Sequence, residues 1–402
     1  MIEERIKAKI EKGERIAEHD ALELFQSDDI LMIGRLAQAA RGLRKADRVV
    51  SYVLYRNINY TNVCISMCSF CAFSRNMKDS DAYVLTTEEI REKIRAAMVV
   101  GTNAILLQGG LHPDCKIDFF IELLKTIKDE FPDMHIHAFS PPEILHIARN
   151  SNIAVEGIIE LFKDAGLSSI PGGGAEILVD EIRREVSPLK CTASEWLMVM
   201  EKAHMQGVKS SATMMFGGIE NYTDRIMHLS LLRELQDRTK GFTAFIPWTY
   251  QPNREERHRG TEAQRHKVGN NELLFETDPL DLKMKEEAKI STCRRLREME
   301  HANQGITETS AVDYLKTLAI ARIYLDNFIH IEASLVTQGP KIAQLALEFG
   351  ADDIGSIMME ENVVRAAGNS YIATEAELIY LIKEAGYIPA KRDVLYNQYT
   401  MV

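Results

Sequence analysis

The chain has 402 residues, 46% hydrophobic and 27% charged, the balance of a globular protein with a sizeable core in one large domain or two ordinary ones. A net charge of −11 argues against the basic face that nucleic-acid binding uses. No apolar run is long enough to cross a bilayer, the first residues lack the apolar region of a secretory signal, and six cysteines are too few for a disulfide scaffold. A reducing, cytoplasmic setting away from membranes is expected.

Residues 1–47 read as helices, because Ile6, Ile10, Ile16, Leu22, Ile33 and Leu36 recur near the helical period. Beyond Arg56, short apolar or β-branched runs alternate with amphipathic stretches. Strands are predicted at 57–63, 104–109, 135–140, 168–171, 210–216, 242–247, 330–336 and 353–358. Helices are predicted at 87–99, 117–130, 142–165, 194–206, 223–238, 312–327, 340–348 and 373–385. Eight strands alternating with eight helices is the count of a closed (β/α)8 barrel of the TIM type, here spanning 48–402 behind a helical extension. A doubly wound open sheet has the same periodicity and stays open as the alternative. Residues 253–308 break the rhythm with many charges and little apolar period. Following the sixth strand, they would lie over the C-terminal face of a barrel as a lid, or form a plain charged surface insertion.

The first predicted strand runs into Cys64, Cys68 and Cys71, spaced Cys-x3-Cys-x2-Cys. That spacing lets a short loop curl three thiolates around one metal centre. An iron–sulfur cube takes four cysteines, so three with no fourth in the motif suggest a cluster with one iron open, and an open site marks catalysis. Zinc is the competing reading, but Cys115, Cys191 and Cys293 stand alone and form no second knuckle. The other strand ends also carry chemistry: Gln108-Gly109-Gly110 with His112, Ser140-Pro141-Pro142-Glu143, Gly172-Gly173-Gly174 with Glu176, Trp248 with Tyr250, and Glu360-Glu361. Glycine pairs there allow a ligand close to the backbone. Glu143 and Glu176 are candidates for binding ribose hydroxyls, or else sit at helix starts for the dipole. His112, His135 and His137 are acid–base candidates. The latter two alternate on one strand face, which packing alone also explains.

With an aromatic residue, Phe70, before the last cysteine, the motif resembles that of the radical S-adenosylmethionine enzymes, and Gln108-Gly109-Gly110 resembles their glycine-rich second-strand segment. The resemblance implies a [4Fe–4S] cluster on Cys64, Cys68 and Cys71, with S-adenosylmethionine chelating the open iron through its amino and carboxylate groups. Phe70, Gln108, Gly109, Gly110, Ser140, Glu143 and Glu176 would then be cofactor-binding. One-electron cleavage would give a 5′-deoxyadenosyl radical, which the protein aims.

Gly110-Leu111-His112-Pro113, His135 to Glu143, Ile170 to Ile177 and Thr337 to Lys341 narrow the resemblance to the futalosine-pathway enzymes of menaquinone biosynthesis. Ser140 to Glu143, Phe242 to Trp248 and Ser334 to Gln338 are most similar to the cyclases that close dehypoxanthine futalosine, ahead of aminofutalosine synthases and deazaflavin-forming synthase subunits. The implied chemistry removes the ribose C4′ hydrogen of a nucleoside-like substrate, adds the sugar radical to the benzoate ring, then loses a proton and an electron. Glu360, Glu361 and His112 are the candidate bases. An external donor of the flavodoxin or ferredoxin type is implied as electron source. The chain departs from the pattern at Asn253-Arg254, where the charged insertion replaces a short loop.

Overall fold

Many helices of this chain begin at a serine or threonine with glutamate three residues on. Thr86/Glu89, Ser140/Glu143, Thr192/Glu195 and Thr374/Glu377 each close a reciprocal capping box. The computed structural model describes residues 2–251, 309–360, 362–368, 371 and 373–402. The insertion expected at 253–308 and Glu361 lie outside the described residues.

Three helices, α1 (Ile2–Glu11), α2 (Glu18–Gln26) and α3 (Ile30–Arg44), precede β1 (Val49–Asn59). Then come α4 (Thr87–Val99), β2 (Ala104–Gln108), α5 (Ile117–Glu130), β3 (His135–Ala138), α6 (Pro141–Ser151), α7 (Val155–Asp164), α8 (Asp180–Val186) and α9 (Ala193–Met205). The next elements are β4 (Ser210–Phe216), α10 (Tyr222–Thr239), β5 (Phe242–Thr249), α11 (Ala311–Tyr324), β6 (His330–Ile331), α12 (Leu335–Ala346) and β7 (Asp353–Met359). Last are α13 (Asn362–Ala366), α14 (Glu375–Glu384), β8 (Ile388–Arg392) and β9 (Tyr399–Met401).

The parallel pairings close on themselves. β1 pairs β2, and β2 pairs β3. Single bridges His137↔Ser169 and Ile170↔Ser210 carry the ring to β4, which pairs β5, which pairs β6. A bridge Glu332↔Asp353 reaches β7, and β7 pairs β1. This is the expected barrel, held at two seams by isolated bridges in place of full ladders. Helices bury apolar stripes on its outside, as α5 does with Phe120, Leu123, Leu124 and Ile127. The buried stripe of α3 (Ile33, Leu36, Ala37, Ala40) lies along α11.

The boundaries differ from the sequence reading in physical detail. β1 occupies 49–59 in place of 57–63, because Tyr60 onward leaves the ladder to form the cysteine loop. The helix expected at 142–165 is two, broken where Asn152 turns left-handed (φ 52°). The strand expected at 168–171 reduces to the two bridges. That expected at 330–336 ends early, because Leu335 opens α12, which kinks at Gly339 (φ 77°) before Pro340. α8, α13, β8 and β9 have no counterpart among the elements the sequence predicts. β8 lies parallel to the N-terminal half of β1 and β9 runs antiparallel beside it, so the C-terminal segment floors the barrel at the end opposite the cysteines. Among the described residues, no helix is long and apolar enough to cross a membrane.

Candidate active site

The cysteine loop is pinned from both sides before any ligand arrives. Cys64 N donates to the Arg75 carbonyl (3.0 Å), Ile65 N to Leu111 (3.1 Å) and Cys71 N to Cys68 (3.2 Å). Ser66 N lies 3.4 Å from Cys64 Sγ, and Ser66 Oγ 3.3 Å from Cys68 Sγ. Gly110 lets the second-strand loop press against this one: a Cβ there would stand 2.1 Å from the Val63 carbonyl oxygen.

One cavity of about 360 Å³ opens at the C-terminal ends of the strands. It is lined by the three cysteines and by every residue singled out for cofactor binding: Phe70, Gln108, Gly109, Gly110, Ser140, Glu143 and Glu176. They run from Cys64 to Glu176 in the sequence, and the barrel brings them to one rim because each group follows a strand.

The two glutamates are held very differently. Glu143 is buried, and both its oxygens are filled. Tyr60 Oη (2.8 Å) and Gly109 N (2.9 Å) donate to Oε1, while Ser140 N (2.7 Å) and Ser140 Oγ (2.5 Å) donate to Oε2. Burial pushes this carboxyl up, against the pull of those donors. Glu143 therefore fixes the Gly109–Gly110 backbone, with its lone pairs turned inward. Glu176 sits left-handed (φ 41°), with Oε1 2.7 Å from Lys190 Nζ. Its buried Oε2 has no hydrogen-bond partner, Arg183 being 3.9 Å away. Lys190 also stands 5.4 Å over the Phe70 ring. Burial would depress its ammonium, but the Glu176 carboxylate and the Cys68 thiol hold it well above the ordinary lysine value.

The candidate bases lie elsewhere. Glu360 (φ 70°) is clasped by Arg56 and Lys93. Burial opposes its ionisation, yet the two cations hold the carboxyl below its ordinary range, which makes a weak base. His112 Nδ1 accepts from Asp114 N (3.1 Å). Neither Glu360 nor His112 lines the cavity, and Glu361 lies outside the described residues.

Sequence reasoning missed the lower half of the cavity. Its walls carry hydroxyls, among them Ser210, Thr213, Thr243, Ser334 and Thr337, with Ile246 and Trp248 beside them. Its floor is Arg392, bound to Asp353 and 3.3 Å from Glu332, with its guanidinium 3.8 Å over the Tyr396 ring. Burial, and then the Asp353 charge, push Glu332 up to about 8. Lys190 is a lone lysine with no motif around it, and the floor joins segments 60 residues apart. The signals legible in the sequence there are Trp248 after the strand at 242–247 and the alternation of His135 and His137.

The donor set fits an iron–sulfur cube with an organic ligand beside it. Among the described residues, no three His, Cys, Asp or Glu side chains are placed to hold a single metal ion, whereas a cube spreads its thiolates over separate iron corners. Glu176, whose Oε2 is buried without a hydrogen-bond partner, lines the same cavity as the three cysteines, a carboxylate within the chamber where an organic ligand would lie.

Comparison with known proteins agrees. Residues 58–232 match the Radical SAM superfamily, and residues 292–402 match the CofH/MqnC C-terminal region. The chain is 37% identical to a cyclic dehypoxanthine futalosine synthase of Halalkalibacterium halodurans, over 96% of this chain and 92% of that one. It is also 37% identical to a 5-amino-6-(D-ribitylamino)uracil–L-tyrosine 4-hydroxyphenyl transferase of Methanococcoides burtonii, over 99% of each. The FeFe-hydrogenase maturase HydG from Carboxydothermus hydrogenoformans shares the fold, with a TM-score of 0.65 at 16% identity over 98% of this chain and 81% of that one.

Proposed function

Because this chain belongs to the radical S-adenosylmethionine superfamily, whose cofactors are a [4Fe–4S] cluster and S-adenosylmethionine, we propose that it cyclises dehypoxanthine futalosine to cyclic dehypoxanthinyl futalosine in menaquinone biosynthesis. The observation that carries this reading is one continuous cavity with three cysteines at its rim and a hydroxyl-rich chamber directly below. The relative from Halalkalibacterium halodurans supports the choice of substrate.

Cys64, Cys68 and Cys71 would hold the cluster, and the backbone at Gly109 and Gly110 would meet the methionine end of the cofactor. Glu176 would accept from a ribose hydroxyl, with Lys190 holding its carboxylate in place. When bound, the two cofactors supply a carbon-centred radical able to take a hydrogen atom from an unactivated C–H bond. The chain's own task is placement. The wall hydroxyls of Ser210, Thr213, Thr243 and Ser334 would hold the substrate's sugar with its C4′ hydrogen toward the rim. Trp248 and Ile246 would flank the benzoate ring. Because ring and sugar belong to one molecule, confining them makes ring closure intramolecular, and the enclosing walls keep out other hydrogens. An external low-potential donor of the flavodoxin or ferredoxin type would supply the electron.

Closure removes one hydrogen as an atom and one as a proton plus an electron, so the product is two hydrogens lighter than the substrate. The test is anaerobic reconstitution with S-adenosylmethionine, a reductant and substrate deuterated at C4′, read by mass spectrometry. The expected result is that lighter product together with deuterated 5′-deoxyadenosine. Deoxyadenosine without the product sinks the substrate assignment. A second reading is favoured by the equally similar transferase of Methanococcoides burtonii. On it, the same preparation given tyrosine and 5-amino-6-(D-ribitylamino)uracil forms the hydroxyphenyl adduct.

A further inference from the structure

Two histidines on β3 and one serine on the neighbouring bridge segment are joined in a way that neither packing nor cofactor binding explains. His137 Nδ1 lies 2.6 Å from Ser169 Oγ, and the same oxygen lies 2.7 Å from His135 Nε2. Ser169 is fully buried and His137 is 7% exposed. The two ends of this chain of atoms reach different spaces. His137 lines the large cavity, on its hydroxyl-rich lower part, together with Ser169. His135 lines a second, polar cavity of about 200 Å³ under the N-terminal ends of the strands, beside Asp133, Lys391 and Asp393. Within the barrel wall, three side chains span from one space to the other.

We propose that His137, Ser169 and His135 form a proton-transfer chain that carries the proton released in the barrel cavity to the opposite end of the barrel. The proposal rests on the reaction taking place in that cavity, not on which of the two substrates is used, since in either case an adduct radical that gives up an electron must also give up a proton.

The transfer balances as a swap of tautomers. In the starting state His137 carries its proton on Nδ1 and donates to Ser169 Oγ, Ser169 donates to His135 Nε2, and His135 carries its proton on Nδ1. A proton taken up at His137 Nε2 moves the others along: Nδ1 gives to Ser169, Ser169 gives to His135 Nε2, and His135 Nδ1 releases to the second cavity. Both imidazoles and the hydroxyl end neutral. Electrostatics require this form. Burial first, then His135 and the Arg392 guanidinium, hold His137 down to about 3. Burial holds His135 down to about 4, with Asp393 opposing and Lys128 assisting. Neither ring stores a charge near neutrality, so a proton that enters must pass through. The serine in the middle supplies a hydroxyl that both accepts and donates, which an amide or a water-filled gap would not fix in place.

Ser169→Ala removes one oxygen from the chain and leaves both imidazoles. Ser169→Thr restores the hydroxyl. The first readout needs no turnover: 15N spectra of histidine-labelled wild type between pH 5 and 8 should show both rings neutral and each in a single tautomer. In Ser169→Ala both should lose that fixed tautomer together, and in Ser169→Thr regain it. The second readout is the reaction. Deuterium transfer from C4′ to deoxyadenosine should proceed as in wild type with Ser169→Ala, while cyclised product per deoxyadenosine falls at least tenfold and recovers in Ser169→Thr. A doubly protonated ring in wild type at pH 7, or Ser169→Ala with unchanged tautomers and an unchanged product ratio, overturns the proposal. A wild type that forms deoxyadenosine but no cyclised product, with tautomers coupled through Ser169, overturns the substrate assignment alone, and the ratio is then read with the transferase substrates.

Discussion

Glu143→Gln tests whether the buried glutamate after the double proline builds the cofactor rim or touches the cofactor. Each carboxylate oxygen accepts one hydroxyl, which can rotate, and one backbone N–H, which cannot: Gly109 N on Oε1 and Ser140 N on Oε2. A glutamine amide has one oxygen. Whichever way it flips, its NH2 group faces a backbone N–H and leaves that donor without an acceptor. One charge-assisted bond is lost and one buried donor is stranded, which together cost about 3–5 kcal/mol. The loss falls on the junction between Gly109 and the start of α6, so the cysteine loop that leans on Gly110 should loosen with it. The assay is chemical unfolding of the apoprotein under anaerobic conditions, followed by S-adenosylmethionine binding to the reconstituted protein. The expected result is a stability loss of that size accompanied by weaker binding. An apoprotein within about 1 kcal/mol of wild type, the scale of one ordinary hydrogen bond, would refute the argument. Weakened S-adenosylmethionine binding in that same sample would move Glu143 to direct contact.

Lys190→Met strips Glu176 of its 2.7 Å partner and leaves a buried carboxylate facing only Arg183, so stability should fall by about 3–5 kcal/mol; an unchanged unfolding midpoint would count against the pair. Gly110→Ala places a methyl 2.1 Å from the Val63 carbonyl, so the cysteine loop must shift, and iron and sulfide content after reconstitution should drop well below wild type; full occupancy refutes the clash. Acid stability should decline early. Burial holds His228 and His204 at about 3 against an ordinary 6.5. The unfolded chain therefore binds more protons below pH 6.5, and stability that is complete above that value is lost as the pH falls toward about 3. Each imidazole contributes about 1.4 kcal/mol per pH unit over that interval. His228 Nδ1 accepts from Leu178 N (3.0 Å), and His228→Gln, which retains an acceptor, should give a shallower acid slope; an identical slope would show that His228 is not among the titrating groups.

What the sequence reveals of this site tracks how local each part is. The cysteine loop, the glycine pair and the Ser140–Glu143 box are each contained in a few residues that fix their own geometry, so spacing alone points to them. The strand–helix alternation placed them at one end of a barrel, and that end is where the cavity opens. Where an element's identity depends on distant contacts, periodicity fails. The run Ile331 to Thr337 has the composition of a strand, yet after one bridge from Glu332 to Asp353 it coils into α12. Asn152 breaks a continuous helical pattern without glycine or proline. Pro389 disguises β8, which is stable only because the N-terminal half of β1 offers it a free edge. Lys190 acquires its role from Glu176 and Phe70, and nothing in its own neighbourhood announces it.

The rim and the floor of the cavity come from different stretches of chain. The match over 58–232 contains the cysteines, the glycine pair, Glu143 and Glu176; the match over 292–402 contains Glu332, Ser334, Thr337, Arg392 and Tyr396. The rim is therefore written in local motifs, while the floor is assembled by strand closure, β7 meeting β1 and β8 slotting in beneath. Relatives with two different printed activities are equally identical to this chain. Most of the rim does little to separate them, because it serves the cofactors of the shared superfamily. Side chains that meet only when the barrel closes are the ones in a position to do so: the Glu332–Arg392–Tyr396 floor and the hydroxyls above it are where a pocket for one ring system in place of another has to be built.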